Sequence, residues 1–159
     1  IQWHMIGHVQ TNKVKYMAPF VHLIHAVDSF KLLKEINKQA KKNNRSINCL
    51  IQIKIAEEDS KFGLSTEDAV QLILSPEVSQ LSNINIRGLM GMATFTDDEK
   101  QLRSEFKIIK SAFDELKNKI EGFNTLSIGM SGDYQIAIQE GGTMVRIGSS
   151  IFGERNYQH

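Results

Sequence analysis

Short apolar runs alternate with amphipathic segments along the whole of this chain, and no other feature constrains its fold as tightly. Trp3–Gly7, Leu23–Val27, Cys49–Ile55, Ile84–Met92, Leu126–Met130 and Met144–Ile147 read as strands. Between them the spacing turns helical, with Phe30, Leu33, Ile36 and Ala40 on one stripe. Leu102, Phe106, Ile109, Phe113, Leu116 and Ile120 form a longer stripe at four-three spacing. Alone, that stripe could be a coiled-coil seam; inside a strand–helix array it reads as a helix packed on a sheet. Regular alternation of this kind favours a parallel α/β sheet with right-handed crossovers. Eight such units make a barrel of about 250 residues. Six strands in 159 residues therefore read as three-quarters of a TIM-type barrel, with residues 1–159 as one domain.

Local signals place the boundaries. Thr11 or Asn12 can cap the first helix, Asp28 or Ser29 the second, and Asp97 or Asp98 the long one. Ser65 with Asp68 resembles a capping box opening a helix through Leu74, which Pro76 should stop. The formal charge of +1 and the mixed surface argue against an electrostatic nucleic-acid or membrane partner. No apolar run is long enough to span a bilayer. The lone Cys49 excludes an internal disulfide and fits a reducing cytoplasmic setting. The opening IQWHMIG has no initiator methionine and no basic stretch, so no secretory leader is expected and Ile1 reads as lying inside a longer protein.

The chemistry concentrates near the C-terminus. Leu126–Met130 runs into Ser131-Gly132, and Met144–Ile147 into Gly148-Ser149-Ser150. Small residues at a strand end let backbone N–H groups approach a ligand closely. Two such turns on consecutive parallel strands would make a phosphate cradle, where TIM barrels often carry one; two ordinary strand-to-helix turns are the alternative. Arg146 lies inside the last strand, and an arginine in a buried strand needs a partner. Asp28 and Asp133 are candidate carboxylates for it. His4, mid-strand, reads as a hydrogen-bonded core residue or a ligand contact. A metal reading of His4, His8, His22 and His25 is rejected, because i,i+4 residues on a strand stand roughly 13 Å apart.

GMSGD and GGTMVRIGSSIFG, with WHMIGHVQTNK (Trp3–Lys13), EEDSKFG (Glu57–Gly63) and RGLMGMAT (Arg87–Thr94), resemble the pyridoxal-phosphate homeostasis proteins. These are single-domain barrels similar to the N-terminal domain of alanine racemase. The likeness covers nearly the whole chain and implies that the first two βα units lie outside it. It implies pyridoxal 5'-phosphate as cofactor, with Ser131, Gly148 and Ser149 at its phosphate, Arg146 at its ring nitrogen, and His4 among the binding residues. Many family members carry threonine where Ser149 stands, which keeps the hydroxyl, and serine or alanine where Gly142 stands. An arginine at the ring nitrogen leaves it unprotonated and makes the ring a poor electron sink. Asn12 and Lys13 match a family motif, with a capping asparagine and a solvated lysine as the plain alternative. The family's Schiff-base lysine lies in a Val-Ser-Lys context, which does not occur here. Lys54 is the one lysine in a firm strand, and a snorkelling or ion-paired side chain, with Glu57 or Glu58 as the partner, is its expected role.

The resemblance thus implies a non-catalytic carrier or regulator of pyridoxal phosphate. An amino-acid racemase of the same fold is the alternative, but only Glu154–His159 follow the last motif, leaving no β domain to supply a second base. A phosphate-sugar enzyme would need strand-end carboxylates, for which only Asp28 and Asp133 are available. Self-association through the open edges Trp3–Gly7 and Met144–Ile147 is expected.

Overall fold

The computed structural model describes residues 1–57 and 62–153. Six strands form one parallel sheet whose spatial order is the order of the sequence. They are β1 (Trp3–Met5), β2 (Val21–Val27), β3 (Ile47–Lys54), β4 (Ile84–Met92), β5 (Thr125–Met130) and β6 (Met144–Arg146). Parallel neighbours require crossovers, and helices supply them. A 3-10 turn at Thr11–Lys13 leads into α1 (Val14–Met17) before β2, and α2 (Phe30–Lys42) precedes β3. Next come α3 (Thr66–Ile73) and α4 (Pro76–Ser79) before β4, then α5 (Glu99–Lys117) before β5. Finally α6 (Tyr134–Gln139) joins β5 to β6, and α7 (Ser149–Phe152) follows.

The caps show why the helices begin where they do. Ser29 Oγ accepts from Leu32 N at 3.2 Å, Ser65 Oγ from Asp68 N at 3.0 Å, and Asp98 Oδ1 from Lys100 N at 2.9 Å. Each satisfies an amide that the first helical turn leaves without a partner. Two expectations are corrected. Thr11 and Asn12 do not cap: they lie inside the 3-10 turn, behind Gln10, which makes no side-chain capping bond. Pro76 opens a helix as well as following one. It stands at the first position of α4, where a missing N–H leaves nothing unsatisfied, and Ser75 Oγ accepts from Val78 N at 3.3 Å.

The sheet separates two apolar layers. Its outer face carries Ile24, Val27, Cys49, Ile51, Ile53, Leu89, Leu126 and Ile128, packed with Leu33 and Ile36 of α2 and Phe106, Ile109 and Phe113 of α5. The stripe on α5 is therefore a helix–sheet contact. Its expected last member, Ile120, lies beyond the helix end and is partly buried against the same core. The inner face holds a smaller cluster of Leu23, Ala26, Leu50 and Met90, with Met92 and Met144 against it. No helix among the described residues is long and apolar enough to cross a membrane.

One hydrogen bond measures the curvature. His25 on β2 and Ser127 on β5 are three strand spacings apart, roughly 14 Å across a flat sheet. Their side chains meet at 2.9 Å. The sheet must therefore curl until its concave faces touch, as in part of a barrel wall.

Candidate functional site

Arg146 lies on the concave side of β6 and reaches back over two strands. Nη1 donates to the carbonyl oxygen and to the hydroxyl of Ser127, each at 2.8 Å, and Nη2 donates to the Gly91 carbonyl at 2.9 Å. The partner that a buried arginine requires is thus a set of neutral oxygens. Neither proposed carboxylate forms an ion pair with it: Asp28 stands 3.6 Å from His8, and Asp133 accepts from Met130 N at 2.6 Å. Burial pushes the Arg146 pKa down to about 10, with Asp133 acting in the opposite sense at longer range. The group is still a cation at neutral pH.

From Ser127 the chain of polar contacts continues. Ser127 Oγ meets His25 Nδ1, and His25 Nε2 meets His4 Nδ1 at 3.1 Å. The His4 ring also stacks on His22 with centroids 5.7 Å apart. Sequence spacing kept these histidines apart, but parallel pairing of β1 with β2 sets His4 beside Leu23 and so next to both. Ser127, fully buried, was not among the candidates read from the sequence, and His25, 1 % exposed, entered only in the rejected metal reading. A buried polar residue in an apolar strand was the available signal, and Ser127 gave it faintly.

Burial, then the Arg146 cation, then His4 push the His25 pKa down from 6.5 to about 3. The unfolded chain binds a proton near 6.5 that the folded chain refuses until about 3. Stability from this group is therefore complete above pH 6.5 and is lost as pH falls toward 3. Urea unfolding across that interval should show a steeper loss in the wild type than in His25→Gln. Equal slopes would mean that His25 is solvated and titrates normally.

The turns after β5 and β6 come together. Ser131 Oγ accepts from Gly148 N at 3.2 Å and from Ser150 N at 3.4 Å. A hydroxyl oxygen thus sits where two backbone donors converge, with its own proton free to be donated. The second donor is the amide of Ser150, one residue beyond Ser149. A Cβ added at Gly132 or Gly148 would meet nothing within 4 Å, so packing explains neither glycine. Both positions leave the backbone open to its surroundings. The loop is braced from behind, where Arg103 of α5 donates to Glu140 at 2.9 Å and to Gln139 at 2.8 Å, holding the end of α6.

Other candidates are spread more widely. Lys54 ends β3 and by alternation shares the inner face with Leu50 and Gln52. Glu58, one of its suggested partners, lies outside the described residues, as does part of the Glu57–Gly63 motif. Asn12 and Lys13 belong to the 3-10 turn. Thr94, closing the Arg87–Thr94 motif, donates through N and Oγ1 to the buried Glu105 at 2.7 and 2.6 Å. It also accepts from Glu57 N at 3.1 Å, so two loops at the C-terminal strand ends are tied together. A concavity of about 450 Å³, lined partly by Val78, Ile84, Ile86 and Ile120, lies at the other end of the sheet, by the start of β4. It is remote from the converging donors. In folds of this class, chemistry sits at the C-terminal strand ends.

Comparison of the whole chain with known proteins shows its family and fold. Residues 2–156 match the family model described as alanine racemase, N-terminal domain. The chain is 39 % identical over 158 residues to a pyridoxal phosphate homeostasis protein of Aquifex aeolicus, covering 99 % of this chain and 68 % of that one. The protein of the same name in Escherichia coli is 35 % identical over 160 residues, with 99 % and 66 % covered. The chain thus spans about two thirds of the length of these relatives. The structure of PipY from Synechococcus elongatus with PLP bound superposes with a TM-score of 0.84 at 30 % identity, covering 96 % of this chain and 71 % of that one. An alanine racemase of Clostridium difficile, 18 % identical with a TM-score of 0.69 over 94 % of this chain and 40 % of that one, shares the fold.

Proposed function

This chain belongs to the alanine racemase N-terminal domain family, among its pyridoxal phosphate homeostasis proteins, and from that membership we propose that it binds pyridoxal 5'-phosphate as a carrier or regulator rather than as a catalyst. The observation that carries the reading is the pairing of two kinds of donor at one end of the sheet. Arg146 offers a cation on the concave face, and Ser131, Gly148 and Ser150 gather hydroxyl and amide donors at the adjacent turns. Ser131, Gly148 and Ser149 would hold the phosphate, Arg146 the ring nitrogen, and His4 a further polar atom of the ring. Bound pyridoxal phosphate supplies an electron-withdrawing ring. An arginine, which can only donate, leaves the ring nitrogen unprotonated and weakens that sink.

No Val-Ser-Lys stands in these residues, and binding to this polypeptide alone should be weak, reversible and non-covalent. Titration with pyridoxal phosphate, then borohydride reduction and peptide mapping, tests this. The expected result is saturable binding with only scattered trace labelling. Stoichiometric label on one lysine, Lys54 above all, would overturn it. Ser131→Ala should weaken binding by about 1 kcal/mol, roughly fivefold. Unchanged affinity would remove the phosphate from this turn.

The edges define a second property. Among the described residues β1 and β6 each pair with a single strand, and Trp3, Ile6, Tyr16 and Phe20 are exposed on and around β1. Unpaired parallel edges beside apolar surface seek partners. The isolated polypeptide should self-associate in sedimentation. A monomer whose intact mass matches these 159 residues would sink that expectation.

A further inference from the structure

The polar chain on the concave face has a direction that follows from which atoms can donate. Arg146 has only donors, so Ser127 Oγ accepts from Nη1. That leaves the Ser127 hydroxyl proton to be placed. Ser127 is fully buried, and His25 Nδ1 is the one remaining contact of its oxygen. An unplaced buried hydroxyl proton is costly, so it goes to His25 Nδ1, which must be bare. A neutral His25 then carries its proton on Nε2 and donates it to His4 Nδ1. His4 in turn must carry its proton on Nε2, and its ring is exposed to the concave opening beside His22. The reverse order would have Ser127 Oγ accept two bonds and strand its proton.

We infer that Ser127 and His25 are positioning residues that transmit a fixed hydrogen-bond direction from Arg146 to His4, so that His4 presents an N–H and not a lone pair to the bound cofactor. The inference rests on the reading that pyridoxal phosphate occupies the concave face. It makes Arg146 and His4 both donors, which selects a ligand that offers acceptors between them: a phenolate oxygen, an unprotonated ring nitrogen. Neither histidine is asked to exchange a proton. Ser127 and His25 act at a distance by holding the tautomer of the residue beyond them.

Two-bond proton–nitrogen correlation spectra of the full chain, labelled at histidine nitrogens and free of ligand, read the tautomers directly. At neutral pH both His25 and His4 should be neutral with the proton on Nε2. Ser127→Ala should yield mixed tautomers at both rings, and Ser127→Thr, which keeps the hydroxyl, should restore the single form. A wild-type His4 protonated on Nδ1 overturns the relay whether or not any cofactor binds. In the second arm, pyridoxal phosphate affinity should fall about fivefold in Ser127→Ala and recover in Ser127→Thr. Mixed tautomers with unchanged affinity would overturn the link to the cofactor. Failure of the wild type to bind pyridoxal phosphate would defeat the functional reading instead, while the first arm still decides the relay.

Discussion

Replacing Gly88 with alanine is expected to cost at least about 3 kcal/mol of stability, the largest effect of any single methyl group in this chain. Gly88 lies within β4 with φ +155°, opposite Thr125 of β5. A Cβ there would stand 1.7 Å from the Thr125 carbonyl oxygen and 2.6 Å from its carbon. Those are backbone atoms, so no rotamer change can relieve the overlap. The strands would have to separate, and they carry Gly91 and Ser127, which together hold Arg146. Gly132→Ala is the control: its methyl would meet nothing, and it should shift stability by no more than about 0.5 kcal/mol. Denaturant midpoints of the two variants test the contrast. Equal midpoints would show that β4 and β5 are not so closely apposed.

Arg146→Met should separate binding from folding. Loss of a cationic donor from a largely buried site should weaken pyridoxal phosphate binding by about 2–3 kcal/mol, on the order of a hundredfold. Stability should move by less than about 1 kcal/mol. Arg146 has no carboxylate partner within ion-pair distance, so its removal strands no buried counter-charge. Gly91 and Ser127 lie in paired strands, and the Ser127 hydroxyl retains His25. Methionine also fills the space vacated by the arginine stem. Calorimetry with and without the cofactor would measure both quantities. A collapse of the ligand-free midpoint would make Arg146 a structural residue, and an unchanged affinity would remove it from the site.

Local physics is legible in the sequence itself. β4 begins at Ile84 and ends at Met92 as its apolar run indicates, and Ser29, Ser65 and Asp98 cap the helices that follow them. Each of those signals is complete within a few residues. The short helix α4 was missed because Pro76 stops one helix and starts another with the same fixed φ. The site was half legible. Arg146 stood out because a charge inside a strand is anomalous, and Ser131 and Gly148 because small residues ended strands. Nothing local pointed from Ser127 to His25, which lie 102 residues apart and meet only because the sheet curls. Glu105 was likewise lost in the polar pattern of α5, though Thr94 holds it in the core.

The coincidence of spatial and sequential strand order governs how the molecule can be assembled. Each strand pairs with the one made just before it, so every closure spans only a strand–helix unit and the entropy of joining distant ends stays small. During synthesis these six strands can dock in order, each on an existing edge as its helix emerges. The His25–Ser127 contact is the exception to that short-range rule. His25 Nε2 can meet His4 as soon as β1 and β2 are paired, but its Nδ1 has no partner until β5 has been added. That last contact ties the second strand to the fifth, and it is where a growing ribbon becomes a curved wall.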